Sequence, residues 1–222
     1  TSEEVLFIRI INNDSQCLFD QSTLTIIVNS EPNIPENINN YSSCDNESDS
    51  FNNDDNGING DINLNTKIPE ILVNYTAAEY SNFNISFYES ENQASVGDSS
   101  EAINPNNYQN TTNNQPIYVR VENIATGCIY DKLSFLINIK PKPSFLVMGE
   151  ENIDEPQILC LNNSPLLLQV ENTAADYNYV WTDENGAEIG YNSEQEVNKA
   201  GKYTVTASDK FSNGCERKRT IV

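Results

Sequence analysis

Two stretches of this chain match each other without a gap, and this internal repeat constrains the fold more than any other feature. The first reads LFIRIINNDSQCLFDQSTLTIIVNSEP, and the second reads IYVRVENIATGCIYDKLSFLINIKPKP. Arg9 corresponds to Arg120 and Cys17 to Cys128, so the offset is a constant 111 residues. Because that length suits one small β-sandwich, the chain should contain successive copies of such a domain.

Each copy contains two segments in which every second residue is hydrophobic. Such alternation is typical of a β-strand with one buried face. Between these segments lie residues 12–16 and 123–127, which carry the Asn, Asp, Ser and Gly that favour a tight turn. We therefore predict a hairpin in each copy. Its alternating residues are Ile8, Ile10, Leu24, Ile26 and Val28 in the first copy, and Val119, Val121, Phe135, Ile137 and Ile139 in the second.

These patterns predict an all-β protein of tandem Ig-like β-sandwich domains arranged end to end. Residues 1–31 would be the C-terminal part of a truncated sandwich, because the alternation is already under way at the start. Residues 36–140 would form a complete, disulfide-stapled repeat, and residues 144–222 a PKD/Ig-like domain. Proline-containing segments at 31–35 and 140–143 predict short, stiff linkers. In the last domain, we expect Trp181 to be a core residue and not a ligand platform.

The charge of the chain excludes several classes of partner. It carries 33 acidic and 12 basic residues and no histidine, which gives a formal net charge of -21. Such a surface repels the phosphate backbone of nucleic acids and anionic lipid headgroups. There is also no apolar run of 18 residues, so membrane insertion is not expected.

The sequence also gives no sign of catalysis, and we expect that the protein is not an enzyme. Without histidine, the Ser-His-Asp and Cys-His arrangements and histidine-ligated metal centres are excluded. No glycine-rich phosphate loop is found. A pair of catalytic carboxylates remains formally open, since acidic residues are abundant, but no local pattern singles one out.

Five cysteines in a chain of extracellular character indicate disulfide bonds. Each repeat has one early cysteine and one late cysteine, which predicts the pairs Cys44–Cys128 and Cys160–Cys215. Cys17 would then be a late cysteine, unpaired because of truncation. The alternative, a thiolate metal site, lacks both a CxxC pair and a histidine.

An acidic stretch from Cys44 to Asn65 offers a possible cation site. Asp45, Glu47 and Asp49 occupy alternate positions, and Asp61 follows after a glycine. Ca²⁺ prefers six to eight oxygen ligands and binds loops of this composition. The loop lacks the EF-hand spacing, and the alternative is an acidic loop that is simply solvated. No cofactor is required, and Ca²⁺ is the one ion that this sequence suggests.

Several stretches resemble the repeats of giant cell-surface adhesins of gliding Bacteroidetes, of the SprB type, which are exported by type IX secretion. The resemblance is carried by residues 44–51, TKIPEIL, FYESENQA and IYVRVENIATGC, while YVWTDENG and GKYTVTASDKFSNGC resemble PKD or Ig-like modules. It implies a β-sandwich stalk on the bacterial surface, with a role in adhesion and gliding motility. The implied partners are neighbouring repeats of the same chain, a surface polysaccharide or substratum, and the secretion machinery during export.

Two functions therefore follow from the sequence. The first is a non-catalytic spacer in a secreted bacterial adhesin. The second is a carbohydrate-binding or accessory module of a secreted polysaccharide-degrading enzyme, which would need an exposed aromatic platform on one face of a sandwich. The 11 tyrosines and one tryptophan permit such a platform without requiring it.

The calcium hypothesis makes a prediction about thermal stability. A ligand that binds only the folded state at a hundredfold excess over Kd adds about 2.7 kcal/mol to the free energy of unfolding. Ca²⁺ should therefore raise the melting temperature. Mg²⁺ at the same concentration screens charge equally but fits a flexible carboxylate loop poorly. Equal shifts with both ions, measured by differential scanning calorimetry, would contradict a calcium site.

Overall fold

The structure is a computed structural model that describes residues 2–46, 56–147, 165–171, 177–210 and 214–221. These residues form mostly β-strands in several sheets, which confirms the predicted all-β class with Ig-like sandwich domains. Two short helices, α1 (Ile68–Ile71) and α2 (Glu91–Val96), and two 3-10 turns at Leu64–Lys67 and Ala77–Asn82 complete the regular structure. The described strands are β1 (Ser2–Ile11), β2 (Leu18–Val28), β3 (Tyr41–Cys44), β4 (Phe83–Tyr88), β5 (Gln115–Asn123), β6 (Ile129–Lys140), β7 (Leu146–Val147), β8 (Leu166–Glu171), β9 (Tyr177–Thr182), β10 (Glu188–Gly190), β11 (Glu194–Val197), β12 (Tyr203–Asp209) and β13 (Glu216–Ile221).

The chain divides into two compact units. The first contains Thr1–Asn39, Asn63–Tyr108 and Pro116–Leu136, and the second contains Asn40–Ile62, Gln109–Gln115 and Ile137–Val222. These boundaries differ from those of the domains expected at 36–140 and 144–222, which remain a prediction.

In the first unit, β1 and β2 form the hairpin that the sequence predicts. They pair antiparallel, with Leu6 opposite Leu24, and form a sheet of two strands within the described residues. The turn between them is closed by backbone hydrogen bonds from Gln16 to Asn12 (2.8 Å) and from Asn12 to Cys17 (3.0 Å). The predicted first hairpin is therefore confirmed.

The hairpin of the second copy has the same turn, but it belongs to a larger sheet with more neighbouring strands. Gly127 donates to the carbonyl of Asn123 (2.8 Å), and Asn123 donates to that of Cys128 (2.9 Å), as at the equivalent residues of the first copy. Here β5 lies between β6 and β4, and β4 pairs antiparallel with β5. Side chains that alternate along these strands are buried, and the rings of Phe87 and Phe135 meet edge to face with centroids 6.4 Å apart.

Helix α2 is defined at both ends by local sequence. The Ser90 side chain accepts a hydrogen bond from the amide of Gln93, which caps the first turn. Gly97 ends the helix with a φ of +75°, which favours glycine because a Cβ is strained there. Arg120 of β5 then donates from Nη1 to the carbonyls of Ala94 and Ser95, at 2.9 and 3.0 Å. The guanidinium thus occupies the end of the helix where partial negative charge collects.

One ion pair stabilises the region around α1. Lys67 is almost fully buried, its Nζ lies 2.6 Å from Glu70 Oε1, and it also lies over the ring of Phe135 at 5.6 Å. The hydrogen bond from Lys67 holds the pKa of Glu70 below its ordinary value. Because the pKa of Glu70 is lower in the folded than in the unfolded state, its ion pair with Lys67 stabilises the fold above the ordinary pKa of the carboxyl group. This stabilisation is lost as the pH falls through the lowered pKa.

The second unit contains a two-layer β-sandwich. One sheet has the order β10-β9-β12-β13, and the other has the order β11-β8-β7. Alternate residues of these strands point into the space between the layers, as the period of two requires. The core consists of Phe145, Val147, Leu168, Val170, Tyr179, Trp181, Val197, Val205, Ala207 and Ile221.

Trp181 lies at the centre of this core. It has no exposed surface, and its indole N–H donates to the carbonyl of Asn192 at 2.9 Å. A buried tryptophan with a satisfied N–H contributes both apolar area and one fixed hydrogen bond. The expectation that Trp181 is a core residue is confirmed, and this side chain cannot serve as an exposed platform for a sugar ring.

We predict that Trp181→Ala lowers the free energy of unfolding by about 3–5 kcal/mol, since it removes a large buried ring and leaves a cavity. Urea denaturation followed by circular dichroism would measure this change. Leu167→Ala is the matched control, because Leu167 lies on β8 with 46% of its surface exposed and should change stability by about 0.5 kcal/mol or less. Equal losses in the two variants would contradict the assignment of the core.

Candidate functional site

A disulfide bond joins two distant segments of the second unit. Cys44 ends β3 and Cys215 precedes β13, and their Cα atoms lie 5.6 Å apart although the two residues are 171 positions apart in sequence. Strand β3 runs parallel to the end of β6, with Cys44 beside Lys140. Cys215 has no exposed surface. The bond therefore fixes the region where β6 ends to the last strand of the sandwich.

Strand β13 places two arginines on the same face as Cys215. Residues two apart on a strand share a face, so Cys215, Arg217 and Arg219 align. Arg217 Nε donates to the carbonyl of Pro143, and Arg219 Nε donates to that of Phe145 at 2.6 Å. The Arg219 guanidinium also lies 5.5 Å from the centroid of the Phe145 ring, within the range of a cation–π contact.

These contacts define a junction that consists of residues 143–145, the disulfide and the buried face of β13. The segment after β6 was expected to act as a stiff linker because of its prolines. In the structure this segment also accepts two charge-assisted hydrogen bonds, from Arg217 and Arg219, and it lies close to the disulfide bond. Bonds from a charged donor to a carbonyl are stronger than those between neutral groups.

The predicted disulfide pairs, Cys44–Cys128 and Cys160–Cys215, are wrong, because Cys44 is bonded to Cys215. Cys44 lies beside Lys140, the last residue of β6, whereas Cys128 comes just before its first residue, Ile129. A strand of 12 residues extends about 40 Å, far more than the Cα separation of a disulfide. Cys160 itself lies outside the described residues.

The residue before each late cysteine has the same unusual backbone conformation. Cys17, Cys128 and Cys215 each follow a residue with positive φ, namely Gln16 (57°), Gly127 (69°) and Gly214 (92°). Cys17 and Cys128 are free thiols, and Cys17 is exposed. The repeat pattern therefore identified Cys215 correctly as a late cysteine, and the error concerned which early cysteine it bonds.

Asp45 follows directly after the disulfide and organises the loop beside it. Its side chain is fully buried, and its Oδ2 accepts hydrogen bonds from the amides of Gly57 (2.6 Å) and Ile58 (3.2 Å). Its own amide donates to the carbonyl of Lys140. Gly57 has a φ of +79°, and a Cβ there would lie 2.8 Å from Asn113 Cβ, so only glycine fits.

Asparagine side chains extend this network to Cys44 and β6, and two of them, Asn59 and Asn110, are buried. Asn59 Nδ2 donates to the carbonyl of Cys44 at 2.7 Å, and the Asn59 amide donates to Asn110 Oδ1 at 2.8 Å. Asn110 Nδ2 donates in turn to the carbonyl of Gly57. Asn113 exchanges two hydrogen bonds with the backbone of Ile139, at 2.7 and 2.8 Å. These amide side chains provide hydrogen-bond partners for the backbone of a loop that has few helices or strands beside it.

Two of the four residues of the suggested calcium site, Asp45 and Asp61, lie among the residues that the structure describes. Asp45 is directed at backbone amides, as described above, and the exposed Asp61 accepts from Asn46 Nδ2 at 2.9 Å. Glu47 and Asp49 lie outside the described residues. Among the residues that the structure describes, no cluster of three or more acidic, cysteine or histidine side chains is arranged to hold a metal. Calcium binding by this loop remains a prediction.

Sequence reasoning missed Arg217, Arg219, Asn59 and Asn110. A signal for the arginines was present, because Cys215, Arg217 and Arg219 alternate on a strand and basic residues are scarce in a chain of net charge -21. No comparable signal exists for the asparagines, since the chain is so rich in this residue that two buried ones do not stand out. Their role depends on contacts between residues about 50 apart in sequence, such as Asn59 with Asn110.

Comparison with protein families gives a match to part of the chain. Residues 40–143 match the model of a family described as the Flavobacterium inter-domain disulphide bond domain. The matched segment is slightly less than half of the chain, and it supports a Bacteroidetes-type extracellular protein of several domains. Cys44 lies inside this segment and Cys215 lies beyond it, so the observed bond fits the family's description. A search of curated proteins returned no significant match.

Helices of the described residues are all too short or too polar to cross a bilayer.

We predict that Asp45→Ala destabilises the protein by about 3 kcal/mol, because it removes a buried charged acceptor and leaves the amides of Gly57 and Ile58 without it. Chemical denaturation under non-reducing conditions would measure the loss while the disulfide stays intact. Asp61→Ala, at an exposed carboxylate of the same loop, should cost about 1 kcal/mol or less. A larger loss for Asp61→Ala than for Asp45→Ala would show that the loop is not organised around Asp45.

Proposed function

We propose that this chain is a non-catalytic spacer segment of a secreted bacterial cell-surface adhesin, in which covalent and polar bonds at the junction resist mechanical tension. The observation that carries this proposal is the disulfide between Cys44 and Cys215, which links a residue of the family-matched segment to one beyond it.

When the chain is stretched, this disulfide would carry the mechanical load. A force applied to the two ends of the chain reaches Cys44 from one side and Cys215 from the other. It then passes through the sulfur atoms, and the segment of residues 45–214 between them is bypassed. In the chain-entropy model, a closed loop of this length also stabilises the fold by roughly 5 kcal/mol.

The repeat itself supports a spacer role. Two copies at a constant offset have the same hairpin turn, as shown by the matching hydrogen bonds of Asn12 and Asn123. Serial repetition of one module increases reach without any new binding chemistry. The high negative charge keeps such surfaces soluble and discourages association between neighbouring chains.

The finer assignment is part of the same proposal. Display on the cell surface, export by type IX secretion and a part in gliding motility are what the resemblance to SprB-type repeats implies. The partners would be neighbouring repeats of the same chain and a surface polysaccharide or substratum. The protein would require no cofactor and would bind neither nucleic acid nor a membrane. The carbohydrate-binding alternative predicts retention of the chain in an affinity gel of soluble glycans, which a pure spacer would not show.

Single-molecule pulling from the two ends tests the proposal directly. In oxidised protein, we expect the extension on unfolding to exclude the segment between Cys44 and Cys215. Reduction should then release additional extended chain on the order of 600 Å, at 3.3–3.6 Å per residue. The double variant Cys44→Ser with Cys215→Ser should show the full extension without reductant.

Cys17→Ser is the matched control, because it removes an exposed thiol that forms no disulfide in the structure. It should extend like the wild type under oxidising conditions. If oxidised wild-type protein extends as far as the double variant, tension does not pass through this disulfide and the proposed mechanical role is wrong.

A further inference from the structure

The two segments that follow the hairpins share a pattern of burial. Residues 32–34 read Pro-Asn-Ile and residues 143–145 read Pro-Ser-Phe, and the repeat offset of 111 residues aligns them. In both, the proline and the apolar residue are buried, with Ile34 7% and Phe145 2% exposed, while the residue between them is exposed. These linker segments therefore do not run freely through solvent, and each packs against the body of its own unit.

A tyrosine hydroxyl holds the backbone of each linker segment. The amide of Asn33 donates to Tyr75 Oη at 2.7 Å, and the amide of Ser144 donates to Tyr177 Oη at 3.3 Å. Both donors are the middle residue of their segment, so the same backbone group is recognised in both units. The residue that corresponds to Tyr75 at the repeat offset is Gly186 and not Tyr177, so this likeness arises only in the folded chain.

In the first unit, the surroundings of Tyr75 fix its hydroxyl in place. Its ring packs against that of Phe83 on β4, with centroids 4.5 Å apart. The neighbouring Asn74 donates from Nδ2 to the carbonyl of Asn33 at 3.1 Å. Asn33 thus has both its amide and its carbonyl bonded by side chains about 40 positions further along the chain.

The second unit holds its linker segment with different side chains and the same logic. The ring of Phe145 meets that of Tyr179 edge to face, with centroids 5.8 Å apart, and belongs to the core of the sandwich. Tyr177 packs against the same core. The carbonyl of Phe145 accepts from Arg219 Nε, so here too the backbone is bonded on both sides of an exposed residue.

We propose that the sequence Pro-x-apolar is a docking motif, through which each linker segment binds residues that come after it in the chain, and that a tyrosine hydroxyl recognises the amide between the two buried side chains. Docking, more than the fixed φ of proline, then makes the linkers stiff. The inference goes beyond the proposed spacer function, because residues 32–34 and Tyr75 belong to the first unit and the bonded cysteines to the second.

Amide hydrogen exchange, measured for single residues by NMR on the full oxidised chain, tests this motif. Tyr75→Phe keeps the ring and removes the acceptor, so the amide of Asn33 should exchange about tenfold faster while that of Ser144 is unchanged. Tyr177→Phe should have the reverse effect. Each variant is the matched control of the other, and equal acceleration of both amides by either variant would overturn the motif.

Replacing Pro35 separates docking from the stiffness of proline. Pro35 follows the first linker segment and is only partly buried, so Pro35→Ala should leave the amide of Asn33 protected, whereas Ile34→Asp should release it. Asn33 should also stay protected after the disulfide is reduced, so this result does not depend on the proposed mechanical role. The motif is overturned if Pro35→Ala accelerates exchange as Tyr75→Phe does, if Ile34→Asp leaves Asn33 protected, or if the unmodified chain shows no protection at Asn33 and Ser144.

Discussion

The disulfide between Cys44 and Cys215 is the constraint around which the second unit is arranged. It brings together the end of β3, which runs beside the end of β6, and the start of β13. On the same face of β13, Arg217 and Arg219 hold the carbonyls of Pro143 and Phe145. A covalent bond and two charge-assisted hydrogen bonds thus follow one another at intervals of two residues, from Cys215 into β13.

Buried polar groups stabilise the described part of the loop next to this bond. Asp45, Asn59 and Asn110 are all nearly inaccessible to solvent, and each has hydrogen-bond partners in the backbone. Burial of an amide or a carboxylate is costly unless its hydrogen bonds are made. Because these side chains bond backbone groups next to Cys44, the disulfide lies beside a network of satisfied polar groups.

The two copies of the repeat show how one local sequence pattern leads to different environments. Their turns share the same hydrogen bonds, and their strands have the same alternation of residues. Yet Val119 is buried while the equivalent Ile8 is about half exposed. In the second copy β5 has β4 and β6 as neighbours, whereas β1 pairs only with β2 among the described residues.

Local patterns in the sequence determined the all-β class, both hairpins and the burial of Trp181. Each of these depends on residues close in the chain: period-two alternation sets the face of a strand, and Asn and Gly set its turns. The repeat also identified Cys215 as the counterpart of Cys17 and Cys128. The pairing of Cys44 was decided only by tertiary structure, because the parallel alignment of β3 with the end of β6 places Cys44 about 40 Å along the strand from Cys128. Two hydrogen bonds were likewise not predictable from the sequence: those that Asp45 accepts from backbone amides, and the one that Arg217 donates to the carbonyl of Pro143. Such bonds form between residues that only the folded chain brings within about 3 Å.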